Sequence, residues 1–255
     1  MRPARLAQRL RAYDWTAAVI ELVIVIGGIL IALQVNNWNQ DRLDRARGQV
    51  YARRIHADLQ WDLANMASTR QFWHQVADYQ AAALAHAEHG TLVDGSAWKT
   101  LLAYYQASQI RPLELEDTSF TEMRDAGDLG LIADQDLRAG LSKYYRASGS
   151  GISGEILRHD PVYRVQVRGM VPTRVQEYIW THCFQQLQGT DQRLLDCDAP
   201  IPEAESAAIL QTLRGSESLL QNLRYWNTWL RVSRFVLDDA NRNARALDAR
   251  FAAKR

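Results

Sequence analysis

The feature that most constrains this chain is a run of twenty apolar and small residues near its N-terminus. From Thr16 to Val35 it reads TAAVIELVIVIGGILIALQV, and Glu21 is its only charged residue. A helix of about 20 residues covers about 30 Å, the thickness of a bilayer's hydrocarbon core. Trp15 and Trp38 flank the run, where tryptophan favours the membrane interface. The sequence therefore predicts a transmembrane helix over residues 15–38.

Two other interpretations compete with a membrane anchor. A secretory signal has a shorter apolar core and a cleavage site of small residues, whereas this run is long and continues into Val35, Asn36, Asn37 and Trp38. A core helix of a globular protein could also be this apolar. We favour an uncleaved anchor and keep the buried core helix as the alternative.

The arginines on either side of the span bear on its orientation in the membrane. A basic tail over residues 1–14 carries Arg2, Arg5, Arg9 and Arg11, and five arginines follow the span at positions 42, 45, 47, 53 and 54. The two sides are nearly balanced, because acidic residues count little in the positive-inside rule. A short arginine-rich tail before a long remainder is typical of an N-terminal signal-anchor. We therefore expect the bulk of the chain outside the cytoplasm.

Glu21 shares one face of the predicted helix with Gly28 and Ala32, which lie seven and eleven residues further along. Gly28-x-x-x-Ala32 is a small-xxx-small pair that lets two helices approach closely. This face predicts an interface with a second copy or with another membrane protein, in which Glu21 finds a hydrogen-bond partner. The alternative is a protonated or snorkelling Glu21 near the bilayer edge, with the lipid as its surroundings.

Cys183 and Cys197 are the chain's two cysteines. They are too few for a disulfide scaffold and lack the close doublets of a zinc site. One disulfide between them would close a loop of about 15 residues and contribute about 3 kcal/mol, but only in an oxidising compartment. Two unrelated thiols are the alternative.

Two blocks of the sequence resemble a known family. ELVIVIGGILIALQVNNWNQ (Glu21 to Gln40) and TSFTEMRDAGDLGLIADQDLRAGLSKYY (Thr118 to Tyr145) are similar to segments of a bacterial family of small single-pass membrane proteins, classed only as a domain of unknown function. The resemblance implies one N-terminal span followed by a helical soluble domain, and it implies no activity. We therefore expect a protein of the bacterial inner membrane, with the bulk of its chain in the periplasm.

The rest of the chain predicts helices. Apolar residues recur at spacings of three, four or seven from Tyr51 to Leu84, which indicates a long amphipathic helix that can continue from the span without a break. The fold class expected is all-α, with one transmembrane helix followed by a soluble antiparallel helical bundle. Ser148 to Gly154 reads SGSGISG and predicts a linker between two helical halves, residues 39–147 and 155–255.

The second block carries local helix signals. Ser119-x-x-Glu122 predicts a capping box, Gly127 a helix end, and Asp134 the cap of a further helix through Tyr145. Phe120 and Met123 are expected in the core. A purely structural role explains the block, and a role in ligand recognition for Arg124, Asp125 and Asp128 stays open beside it.

No catalytic motif stands out, and no cofactor is expected. The net charge of +1 gives no electrostatic footprint for nucleic acid. His86 and His89 lie three residues apart and are weak candidates for a metal site. The sequence favours a non-enzymatic binding, sensing or scaffold role. The alternatives are a membrane-anchored, metal-assisted enzyme, or a subunit that moves ions or protons through Glu21.

Overall fold

The computed structural model describes residues 15–148, 152–187 and 191–252, which are almost entirely helical. Its elements in chain order are α1 (Trp15–His89), α2 (Ala97–Gln106), α3 (Thr118–Asp125), a 3-10 turn (Asp128–Leu131), α4 (Gln135–Ser148), α5 (Ile152–Leu157), α6 (Val162–Met170), α7 (Thr173–His182), β1 (Phe184–Gln186), β2 (Gln192–Leu194), α8 (Glu203–Arg214) and α9 (Glu217–Ala252). The predicted all-α class is confirmed.

Helix α1 contains a segment long and apolar enough, by length and composition, to cross a membrane. Its apolar side chains are exposed, with Ile24 67% and Ile31 68% accessible, as expected for a surface that lipid covers. Residues up to Tyr51 form one compact unit, and Ala52–Arg255 form a second. The basic tail over residues 1–14 lies outside the described residues.

The second unit is a helical bundle. The stretch of α1 within it buries one face at helical spacing, as predicted from the apolar period: Ile55, Leu59, Met66, Trp73, Val76 and Ala83. The charged rim of this face meets α9 through an ion pair between Arg70 and Asp238 at 2.7 Å. Burial of the apolar stripe therefore fixes the rotation of α1 within the bundle.

Helix α2 is buried on every side. The turn before it uses left-handed backbone at Gly90, Asp94 and Gly95, and the Ser96 side chain caps the helix by accepting a hydrogen bond from the Lys99 amide. A helix that is apolar all round belongs at the centre of a bundle, and α2 occupies that place.

A two-stranded hairpin follows α7, although the sequence up to about Leu187 is largely helix-forming. Helix α7 ends at His182, and β1 pairs antiparallel with β2. The hairpin is fixed from outside, because the Gln75 side chain on α1 both donates to and accepts from the backbone of Leu194. Residues 188–190 of the connecting loop lie outside the described residues.

The predicted linker from Ser148 to Gly154 falls partly on residues 149–151, which lie outside the described residues. On either side, α4 ends at Ser148 and α5 begins at Ile152, so Gly154 belongs to a short helix. Residues 52–255 group as one compact unit. The division into halves at 39–147 and 155–255 stays a prediction.

The second block folds as helix, 3-10 turn and helix. The capping box is wrong: α3 begins at Thr118, its N-cap Asp117 makes no side-chain cap hydrogen bond, and Ser119 is buried inside the first turn. Gly127 has a φ of 75° and follows the end of α3, as predicted. The Asp134 carboxylate accepts the Leu137 amide at 3.0 Å, which confirms the predicted cap of α4.

Candidate functional site

A cavity of about 240 Å³ lies within the second block. It is lined by Asp117, Phe120, Thr121, Arg124, Leu129, Ser142, Tyr145 and Arg146. Every one of these residues falls between positions 117 and 146. A segment of consecutive sequence therefore builds the whole wall of this cavity, which we call the block cavity.

Two helices and the turn between them position the lining. Helix α3 contributes Phe120 and Arg124, which share a face because they lie four residues apart. Helix α4 contributes Tyr145, whose ring stacks on Phe120 with centroids 4.8 Å apart and an interplanar angle of 23°. An aromatic pair of this kind contributes about 0.5–1.5 kcal/mol beyond its buried area. The stack therefore joins α3 to α4 at the cavity wall.

The charged groups of the block cavity are incompletely paired. Arg124 donates to the neighbouring Asp125 at 2.9 Å. This hydrogen bond raises the pKa of Arg124, and the charge of Asp117 adds a smaller contribution in the same direction. Among the described residues, the side chains of Arg146 and Asp117 make no hydrogen bond or ion pair. The cavity thus presents one carboxylate and one guanidinium that do not neutralise each other.

A buried carboxyl group lies beside the cavity wall. Asp62 on α1 has no exposed surface. It accepts hydrogen bonds from the Glu116 amide at 2.8 Å and from the Tyr144 hydroxyl at 2.8 Å. Burial raises the pKa of Asp62 to about 7, although both hydrogen bonds act in the opposite direction. Asp62 therefore titrates near neutral pH.

Tyr145 connects this buried layer with the block cavity. Its ring lines the cavity, whereas its hydroxyl is buried and has no hydrogen-bond partner among the described residues, as is also true of one carboxylate oxygen of Asp58. Burial raises the pKa of Tyr145 most, and the charges of Asp62, Asp58 and Asp117 raise it further. The Tyr145 hydroxyl therefore stays protonated at neutral pH.

A second cavity of about 370 Å³ lies between α1 and α2, around Tyr79 and Leu102. Its rim carries acidic groups together with Lys99, whose ammonium group lies 2.8 Å from Asp94 and 3.9 Å from Asp196. This rim already holds an internal cation. The block cavity keeps Asp117 and Arg146 unpaired among the described residues and is the better candidate site.

The weak metal candidates do not form a site in the structure. His86 is buried and its Nδ1 lies 3.1 Å from the Tyr104 hydroxyl, whereas His89 is exposed. Burial and the charge of Arg214 lower the pKa of His86. Within the described residues, no group of three or more His, Cys, Asp or Glu side chains could hold a metal ion. His86 acts as a hydrogen-bonded core residue.

Glu21, Gly28 and Ala32 all lie in the apolar segment of α1, and all three residues are exposed. A Cβ atom added at Gly28 would meet nothing within 4 Å. The described residues therefore leave this face open, and its role as an interface stays a prediction.

Cys183 and Cys197 are joined by a disulfide, with Cα atoms 5.3 Å apart. Cys183 is fully buried at the end of α7. Both backbone carbonyls are hydrogen-bonded by α2, because the Gln106 side chain donates to Cys183 at 2.8 Å and the Trp98 indole donates to Cys197 at 2.8 Å. The disulfide joins the two ends of the hairpin segment, and the hydrogen bonds from α2 hold both of its cysteines against the centre of the bundle.

Sequence reasoning found part of the block cavity. Arg124 was a candidate for ligand recognition and lines the cavity, whereas Asp125 pairs with it and Asp128 lies in the 3-10 turn. Tyr145 and Arg146 were missed. Their spacing from α3 gives no periodic signal, since the Tyr145 ring reaches Phe120 only after the chain folds back at the turn.

No family model, no curated protein and no solved structure matches the chain. The functional proposal therefore rests on the geometry of the block cavity and of the apolar segment.

Proposed function

We propose that this protein is a single-pass anchor protein of a bacterial inner membrane whose periplasmic helical domain binds a small polar ligand in the block cavity. The observation that carries the proposal is the cavity itself, which one continuous block builds and which holds an unpaired carboxylate and an unpaired guanidinium. Charged groups at a concave site that the protein does not neutralise are available to a ligand. The resemblance of this block to a family of single-pass proteins supports the anchor part of the proposal.

The proposed location has two supports. The apolar segment of α1 is long enough to span a bilayer, and the disulfide between Cys183 and Cys197 persists in an oxidising compartment such as the periplasm. Cys197 is partly exposed and Cys183 is fully buried, so Cys197 is the thiol that a reagent can reach after reduction.

Location is tested by treating spheroplasts with a membrane-impermeant maleimide, with and without reductant. We expect labelling only after reduction, and none in a Cys183→Ser/Cys197→Ser control. Labelling that needs cell lysis but no reductant would place the domain in the cytoplasm and contradict the proposed location.

Ligand binding is tested with a variant that fills the block cavity. Thr121 lines the cavity and is half-buried, so Thr121→Trp occupies the space with little change elsewhere. Thr228→Trp, at an exposed position on α9, is the matched control. The full-length proteins are purified from membranes in mild detergent and heat-denatured, and the released small molecules are identified by mass spectrometry.

A small molecule released by the wild type and by Thr228→Trp, but not by Thr121→Trp, is the expected result. Circular dichroism of the variants verifies that both are folded. Identical profiles from the wild type and folded Thr121→Trp would contradict binding in the block cavity.

A further inference from the structure

The block cavity combines both signs of charge in a small volume. Its 240 Å³ is below the 300–1,000 Å³ of pockets for drug-sized ligands, so the ligand is a small metabolite. The Asp117 carboxylate and the Arg146 guanidinium both line it and neither is paired within the described residues. A ligand that complements both must carry two opposite charges.

The lining carries both signs of charge. Asp117 is its one carboxylate, and Arg124 and Arg146 are its two guanidinium groups, of which Arg124 already donates to Asp125. The buried Tyr145 hydroxyl has no hydrogen-bond partner among the described residues and adds an unused hydrogen-bonding group at the wall. A simple anion would leave Asp117 without a partner, and a simple cation would leave Arg146 without one.

The remaining lining is suited to a short side chain. Phe120 and Leu129 give an apolar surface, while Thr121 and Ser142 add hydroxyl groups. A partly apolar lining with one unpaired carboxylate and one unpaired guanidinium suits an amino acid better than a lipid or a nucleotide.

We propose that the block cavity binds a small zwitterion of the α-amino acid class, with its ammonium group at Asp117 and its carboxylate at Arg146. This inference rests on the proposed function, because it names the chemical class of ligand for the same site. Hydrogen bonds to charged groups contribute about 1.5–3 kcal/mol each, so loss of either ligand charge should weaken binding about tenfold or more.

The test uses full-length protein in detergent and isothermal titration with three matched probes. L-leucine carries both charges, 3-methylbutylamine lacks the carboxylate, and 4-methylpentanoate lacks the ammonium group. We expect L-leucine to bind about tenfold or more tightly than either single-charge probe. Arg146→Gln should reduce L-leucine binding to about that of the amine, and Asp117→Asn to about that of the acid. Arg231→Gln, at an exposed position on α9, should leave it unchanged.

Equal binding of L-leucine and of either single-charge probe would overturn the zwitterion proposal, as would the absence of any L-leucine binding. The proposed function is tested apart from the zwitterion proposal. If the cavity binds a ligand of another class, the wild type still releases a small molecule on heat denaturation that Thr121→Trp does not release. Loss of L-leucine binding in Arg231→Gln as well as Arg146→Gln would also count against the site.

Discussion

The carboxyl group of Asp62 is fully buried, and its two hydrogen bonds come from neutral donors. Its folded pKa of about 7 lies above the ordinary value of 3.8. The folded state therefore holds the proton while the unfolded state has already released it. This contribution to stability is fully present below about pH 4 and is lost as the pH rises through 7.

We predict that Asp62→Asn removes this pH dependence. One pKa unit corresponds to about 1.4 kcal/mol, so the loss in the wild type is on the order of 4 kcal/mol between acid and mildly alkaline pH. Urea unfolding followed by tryptophan fluorescence at pH 5, 7 and 8 measures the free energy of unfolding. At each higher pH, the free energy of unfolding of Asp62→Asn should rise relative to that of the wild type.

Asp78→Asn serves as the control, because Asp78 is an exposed aspartate on the same helix. Its difference from the wild type should stay within about 0.5 kcal/mol across the pH range. A difference between Asp62→Asn and the wild type that stays constant from pH 5 to pH 8 would contradict the assignment of this pH dependence to Asp62.

Residues whose role is local were predictable, and residues whose role depends on distant partners were not. Asp134 caps α4 with an amide three residues away, and Gly127 ends α3 through its own backbone conformation. Asp62 reads as an ordinary polar residue of an amphipathic helix, because its partner Tyr144 lies 82 positions away. Ser119 misled for a related reason: its capping pattern is local, but core packing buries it inside the first turn.

At the scale of elements, the open face of the apolar segment in α1 gives a direct test. If Glu21, Gly28 and Ala32 form a helix–helix interface, Ala32→Leu places a bulky side chain where the backbones approach most closely. We predict that Ala32→Leu reduces dimer recovery in native membranes by half or more, as measured by chemical crosslinking. Val19→Leu, on the opposite side of the helix, should crosslink like the wild type.

Crosslinking that finds only monomer in the wild type, or no effect of Ala32→Leu, would contradict the interface. Glu21→Gln separates the roles of this residue, since glutamine keeps a hydrogen-bonding side chain and removes the charge. If Glu21 only donates or accepts a hydrogen bond, Glu21→Gln should dimerise like the wild type.

Elements in which apolar residues recur at a regular helical spacing were predictable from the sequence, and the hairpin was not. The span and the long helix after it follow from apolar patterning over many turns, and both fall within α1. Strands β1 and β2 have three residues each, too few for an alternating pattern to emerge. Their position depends on Gln75 and on the disulfide at Cys183, which the local sequence does not encode.

At the scale of the whole molecule, residues 52–255 form a compact unit separate from residues 1–51. We predict that a fragment starting at Ala52 folds alone, because the buried face of α1 begins at Ile55. Its thermal midpoint should lie within about 4 °C of the full-length value, a change of about 1 kcal/mol. Differential scanning fluorimetry measures this, and carbonate extraction should release the fragment while the full-length chain stays in the membrane.

An unfolded or aggregated fragment would show that residues before Ala52 stabilise the bundle. Retention of the fragment in carbonate-washed membranes would show that the bundle itself binds lipid. The helical class of the whole molecule was predictable from composition and period. The separation after Tyr51 was not, because the sequence around it keeps the same helical pattern on both sides.

The block cavity has a consequence for dynamics, because all its lining residues come from positions 117–146. A ligand there bridges α3 to α4 and joins no segments that are far apart in sequence. Local opening of this block and global unfolding both destroy the site, so the ligand raises the free energy of each by the same amount. Occupancy should therefore slow amide hydrogen exchange between residues 117 and 146, and should slow it in α2 and α9 only at amides that exchange through global unfolding.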